Sequence, residues 1–130
     1  MTEIERKYLI RNLDELRPLL VNGTKIKQGY LFTTPEKSCR IRIKGDRGFV
    51  TIKIGESALI RFEYEYEIPL NDAESLLQTC PRVLSKSRYE VYVEGYTWEI
   101  DVFEGKLDGL VVAEIELTDV DERFLVPTWV

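Results

Sequence analysis

Hydrophobic and polar residues alternate along most of this chain. A period of two marks β-strands whose two faces meet different surroundings. The alternation predicts strands over 2–9, 24–32, 38–44, 49–55, 60–69, 84–94, 96–103 and 110–118. Turn-forming clusters separate several of them: Gly45-Asp46-Arg47-Gly48, Gly55-Glu56-Ser57, Glu94-Gly95, and the stretch from Gly105 to Gly109. Two short helices are expected between strands. Asn12 with Glu15 reads as a capping box leading into Leu13 and Leu16 before Pro18. Asn71 with Glu74 reads as a second, leading into Ala73, Leu76 and Leu77 and stopped by Pro81. Mostly short connections favour antiparallel neighbours. Eight strands can close into a barrel wide enough for side chains or one small ligand. The expected fold is therefore mainly β (α+β): an eight-stranded antiparallel closed β-barrel with short helices packed outside, in a single domain over 1–130.

The polar face of these strands is charged in an unusual way. Residues i and i+2 share a face, roughly 6–7 Å apart along a strand. The first strand puts Glu3, Glu5 and Lys7 together. The third puts Arg40, Arg42 and Lys44 together, opposite Cys39, Ile41 and Ile43. The fourth pairs Thr51 with Lys53, opposite Ile52 and Ile54, with the side of Phe49 or Val50 left to the register. The fifth aligns Arg61, Glu63, Glu65 and Glu67 against Phe62, Tyr64, Tyr66 and Ile68. The sixth pairs Lys86 with Arg88, opposite Tyr89, Val91 and Val93. The seventh pairs Glu99 with Asp101, and the eighth Glu114 with Glu116, each backed by apolar residues.

For one strand alone this describes an ordinary sheet with a solvated side. For the set, like charges repeat at i, i+2 and the signs are segregated by strand, whereas a surface built for solubility mixes them. Carboxylates fall on strands one, seven and eight, and cations on three, four and six. A barrel closed around this face encloses an acidic wall and a basic wall. Crowding of like charge is costly and is tolerated mainly where a ligand neutralises it.

Composition narrows the chemistry. The chain has 130 residues, 44% hydrophobic and 32% charged, with a formal net charge of -5. That balance offers no general attraction to nucleic acid or to an anionic membrane, so an anionic partner has to meet a local cluster of Lys and Arg. The absence of histidine excludes His-based zinc sites, Ser-His triads and histidine bases together. Cys39 and Cys80 lack metal-ligand spacing and suit a reduced compartment. The chain shows neither an apolar run of membrane-span length nor a signal-peptide core, which points to the cytoplasm. Carboxylate ligands without His or Cys favour hard cations, Mg2+ or Mn2+. Clustered Arg and Lys favour phosphate. A lumen offering both suits a polyphosphate that carries its own metal, and phosphoryl transfer needs mainly positioning and charge neutralisation.

The ordered set of motifs resembles the CYTH family, the triphosphate tunnel metalloenzymes. Glu3-Ile4-Glu5-Arg6-Lys7 is similar to its N-terminal E-x-E-x-K signature. Arg40-Ile41-Arg42, Thr51-Ile52-Lys53, Arg61-Phe62-Glu63-Tyr64-Glu65, Lys86-Ser87-Arg88, Trp98-Glu99-Ile100-Asp101 and Ala113-Glu114-Ile115-Glu116 follow in the family's order. The resemblance implies an eight-stranded tunnel that hydrolyses a triphosphate, with inorganic triphosphate expected. It leaves open thiamine triphosphatase or adenylate cyclase-type activity, or a polyphosphate- or nucleotide-binding module without turnover. An adenosine pocket would need apolar surface at a tunnel mouth, and the chain shows no insertion to build one.

Expected roles follow residue by residue. Glu3, Glu5, Asp101, Glu114 and Glu116 are expected metal ligands, with Glu99 sharing Asp101's face. Lys7, Arg40, Arg42, Lys53, Lys86 and Arg88 are expected to hold the triphosphate. Lys7, Glu63 and Lys86 are expected to serve catalysis, with Glu65 replacing Glu63 if a bulge shifts the register. Arg6 is expected on the surface, and Gln28 either in the tunnel or as an ordinary strand amide. Trp98, Trp129 and the tyrosines are expected to pack. The resemblance also implies a helix after Pro127-Thr128-Trp129 that closes one mouth, whereas this sequence ends at Val130. The expected partner is a triphosphate, with a homodimer as the assembly to test and no nucleic acid or membrane.

Overall fold

The computed structural model describes residues 2–55 and 60–130, with side chains from Ile4 onward within those ranges. The Glu3 side chain and the Glu56-Ser57 part of one expected turn lie outside the described residues. The strands are β1 (Thr2–Leu9), β2 (Thr24–Thr33), β3 (Lys37–Lys44), β4 (Arg47–Gly55), β5 (Ile60–Ile68), β6 (Val83–Val93), β7 (Tyr96–Phe103) and β8 (Val111–Leu117). They close into a barrel in the order β1-β5-β4-β3-β2-β6-β7-β8, and every neighbouring pair is antiparallel.

Turn chemistry sets the register. Glu94 and Gly95 join β6 to β7 with φ of 48° and 84°, the double positive φ that a two-residue type I′ hairpin requires. Between β3 and β4 the turn is Gly45-Asp46, and Lys44 already pairs with Arg47. Gly48 is thus a strand residue rather than part of the expected turn. A Cβ added there would lie 2.6 Å from the Cβ of Ala73, so its missing side chain lets a helix approach the sheet.

The helices correct one expectation. α1 (Leu13–Leu16) has Asn12 as its N-cap, whose side chain accepts from the Glu15 N–H at 3.1 Å, as the capping box requires. α2 (Leu70–Thr79) begins earlier than Asn71 suggests. Pro69 is the N-cap, with extended backbone, and its carbonyl accepts from Ala73 N at 3.0 Å. Asn71 therefore sits within the first turn and caps nothing.

The barrel is packed from outside. The outer faces of β6, β7 and β8 supply Val91, Trp98, Ile100, Ala113, Ile115 and Leu117, all buried beneath Leu16 of α1 and Trp129 of the C-terminal segment. Trp98 meets the rings of Tyr8, Phe124 and Trp129 at centroid distances of 5.7, 5.8 and 5.7 Å. The Trp129 carbonyl accepts from both Arg11 N and Asn12 N, tying the segment to the chain that follows β1. A second cluster of Ile41, Ala73 and Leu77 forms where α2 covers β3 and β4. Apolar packing on the outer faces leaves the inner faces free for charge.

Candidate active site in the barrel lumen

The lumen encloses a cavity of about 670 Å³. Every expected site residue with a described side chain lines it: Glu5, Lys7, Arg40, Arg42, Lys53, Glu63, Lys86, Arg88, Asp101, Glu114 and Glu116. The side chain of Glu3 is not described, and its backbone pairs with Arg61. Both Glu63 and Glu65 face inward, opposite Lys53 and Thr51 of β4. Gln28 also points inward and accepts from Arg42 Nε at 2.9 Å.

The two walls reach toward each other. Asp101, 1% exposed, accepts from Lys86 Nζ at 2.5 Å and from Arg88 Nε and Nη2 at 2.7 and 2.9 Å. Arg88 also lies 3.3 Å from Glu99. Lys7 Nζ lies 3.6 Å from both Glu5 and Glu114, an ammonium between two carboxylates. Arg40 donates to the Thr51 hydroxyl at 3.4 Å, and Thr51 donates onward to Glu65 at 3.3 Å. Arg40 Nε is buried with no hydrogen-bond partner, a donor whose desolvation nothing offsets. Among the described residues the carboxylates do not converge into a cluster of three or more around one point.

Proton affinities follow from burial and from these partners. Burial, then the charge of Arg88, lowers the Lys86 ammonium to about 8, against the pull of Asp101. Burial and the neighbouring Arg40 and Arg88 charges lower Arg42 to about 10. Burial opposes charge on Arg88 too, but its hydrogen bonds to Asp101 outweigh that and raise it. Asp101 is held below its ordinary value because those same contacts overcome its burial. Lys86 and Asp101 thus move in senses that a simple pair would not. The resolution is that Arg88, with two hydrogen bonds, is the partner that keeps Asp101 ionised. Burial lowers Lys7 as well, yet Glu114 and Glu5 raise it overall.

Sequence reasoning missed several lining residues: Tyr30, Phe49, Leu84, Phe103 and Val112. The signal was parity. Phe49 precedes Thr51 by two, Leu84 precedes Lys86 by two and Phe103 follows Asp101 by two, so each shares the charged face. The register settles Phe49 inward, opposite Arg42.

A closed antiparallel barrel with charge of both signs turned inward and its apolar packing turned outward defines a tunnel protein, built to hold a polyanion beside cations. The chain belongs to the CYTH family: residues 1–125 match the CYTH domain. It is 41% identical to an inorganic triphosphatase of Acetivibrio thermocellus, over 98% of this chain and 82% of that protein. It is 36% identical to an inorganic triphosphatase of Nitrosomonas europaea, over 99% of this chain and 86% of that protein. The crystal structure of an inorganic triphosphatase matches with a TM-score of 0.63 and 31% identity, over 99% of this chain and 83% of that one. A conserved hypothetical protein from Pyrococcus furiosus shares the fold, with a TM-score of 0.69 at 20% identity over 92% of this chain and 80% of that one.

Proposed function

We propose that this protein hydrolyses inorganic triphosphate, with water, to pyrophosphate and phosphate, assisted by a divalent cation. One observation carries the reading. Arg40, Arg42, Lys86 and Arg88 are gathered inside a lumen whose other wall holds Glu5, Glu114 and Glu116. Relatives named inorganic triphosphatase, at 41% and 36% identity, support it.

The donor set fits a hard cation. The facing carboxylates offer oxygen alone, and Lys7 already places positive charge between Glu5 and Glu114. Glu5, Glu114 and Glu116, with Glu3 and Asp101 as further candidates, would hold Mg2+ or Mn2+. The ion would supply charge neutralisation on the phosphates and activation of water. Arg40, Arg42, Lys53, Lys86 and Arg88 bind and align the triphosphate. Arg40 lines the lumen, and its guanidinium suits a phosphate oxygen. Glu63 or Glu65 orients the attacking water or its basic neighbours. Lys86, lowered to about 8, is a group able to give or take a proton near neutral pH. The free thiols Cys39 and Cys80 suit a cytoplasmic setting.

The deciding assay is phosphate release from inorganic triphosphate, ATP and thiamine triphosphate, with Mg2+, with Mn2+ and with chelator. Release from inorganic triphosphate that chelator abolishes is expected. Tight binding without release under either metal overturns the reading in favour of a binding module. Conversion of ATP to pyrophosphate and a cyclic nucleotide identifies a cyclase instead.

A further inference from the structure

The cations of the lumen are held by two kinds of partner. Lys86 and Arg88 meet the carboxylate of Asp101, which offsets part of their charge. The two arginines of β3 meet neutral oxygens. Arg42 Nε donates to Gln28 Oε1 at 2.9 Å, and Arg40 Nη2 to the Thr51 hydroxyl at 3.4 Å. The first contact is the better formed, and both of its residues are buried. The surroundings of Gln28 make its neutrality unexpected. Register places Arg42 directly opposite it on β3, with Lys44 and Arg40 one inward step to either side. On β6, Leu84 is opposite and Lys86 one inward step away. All of these line the lumen. Among the described residues, the inward positions next to Gln28 on the two flanking strands thus hold four cations and no carboxylate. Burial and the charges of Arg40 and Arg88 already lower Arg42 to about 10, a cost to the empty protein that a carboxylate at position 28 would relieve.

A neutral amide at this place forgoes that relief. An amide oxygen accepts a hydrogen bond without carrying a formal charge, so it orients a guanidinium without neutralising it. The bond it takes is at Nε, which leaves the Nη groups for forked hydrogen bonding to a phosphate. We infer that Gln28 is a positioning residue for the substrate: it pins Arg42 at Nε and, being neutral, leaves the charge of Arg42 to be matched by the triphosphate. The inference rests on the triphosphate reading above and deepens it by dividing the cations according to task. Lys86 and Arg88 are partly balanced by Asp101, while Arg40 and Arg42 carry the uncompensated charge that draws the polyanion in. A triphosphate then brings the negative charge that position 28 withholds, and the relief of repulsion among the cations adds to its binding.

The test pairs affinity for inorganic triphosphate, measured by calorimetry with chelator present, with the thermal midpoint of the ligand-free protein. Gln28→Glu keeps the shape and the acceptor and adds a charge. It is expected to weaken triphosphate binding by about ten-fold or more, the scale of one hydrogen bond to a charged group. The same variant is expected to raise the thermal midpoint by roughly 3 °C, because the carboxylate balances its neighbours. Opposite movement of the two quantities is the signature, since a merely structural amide predicts that they fall together. Gln28→Met keeps the neutrality and removes the acceptor. It is expected to weaken binding about three-fold or more by releasing Arg42, with circular dichroism checking the fold. Wild-type affinity in either folded variant overturns the inference, as does a loss of affinity in Gln28→Glu without a gain in midpoint. Should Gln28→Met not fold, Gln28→Glu alone decides. The triphosphatase reading fails separately. A wild type that binds triphosphate but releases no phosphate with metal ends the hydrolytic reading and leaves the role of Gln28 to the same two variants. A wild type that binds no triphosphate ends both.

Discussion

Asp101 accepts three hydrogen bonds from two cations, the buried Lys86 and the partly buried Arg88. Removing its charge leaves both without their main counter-charge, and breaking a buried pair costs about 3–5 kcal/mol. Asp101→Asn is expected to lower the unfolding free energy by that much at pH 7 in ligand-free protein, read from urea denaturation. The effect shrinks in acid. A carboxyl held below its ordinary value contributes stability above the unfolded value, and that contribution is lost as pH falls through the folded one. Lys86 has a dependence of the same sign in a higher pH window. Lowered from 10.5 to about 8, it binds its proton less well folded than unfolded. The wild type is therefore expected to gain stability relative to Lys86→Met as pH rises from about 8 toward 10.5, read from urea midpoints. Flat behaviour across that window would refute the burial argument. On the acidic wall, Glu114→Ala or Glu116→Ala is expected to reduce metal-dependent phosphate release by roughly a hundred-fold, comparable to losing one electrostatic stabiliser of a transition state. Unchanged circular dichroism has to accompany the loss, and wild-type turnover would remove these residues from the site.

At the scale of elements, Gly48 shows how the barrel is covered. Gly48→Ala would set a methyl 2.6 Å from the Cβ of Ala73 and push α2 off the sheet. Overpacking of this kind costs about 1–3 kcal/mol. A thermal midpoint unchanged by Gly48→Ala would show that α2 yields without cost. Gly48 also marks what was legible in the sequence. The strands were readable because alternation is a local property of each segment, and Glu94-Gly95 announces its own hairpin. Gly45 to Gly48 reads as one turn because glycine signals both turns and close approaches, and only the position of Ala73 on α2 tells them apart. Asn71 misleads in the same way, because a capping pattern cannot show that Pro69 already starts the helix. In the lumen, charged residues were found by their repetition, whereas Tyr30, Leu84 and Phe103 look like core until register assigns their face. The contact of Lys7 with Glu114 depends on β1 lying beside β8, which no local pattern encodes.

For the molecule as a whole, a lumen crowded with cations gives a ligand leverage over stability. Any species that binds only the folded state stabilises it, by about 2.7 kcal/mol at a hundred times its dissociation constant. Inorganic triphosphate at such a concentration is expected to raise the thermal midpoint by several degrees, with part of the rise persisting in chelator because Arg40, Arg42, Lys86 and Arg88 act without metal. No shift under either condition would contradict a phosphate-binding lumen. The outward placement of the packing has a further consequence, for descent. In strands such as β7 and β8 one parity of positions packs the barrel from outside, as Trp98, Ile100, Ala113 and Ile115 do, while the other lines the lumen, as Glu99, Asp101, Glu114 and Glu116 do. Selection for folding and selection for chemistry thus act on interleaved sets of residues that overlap at positions such as Asp101. A lineage on this scaffold can exchange one substrate for another by rewriting every second residue while the intervening ones stay fixed.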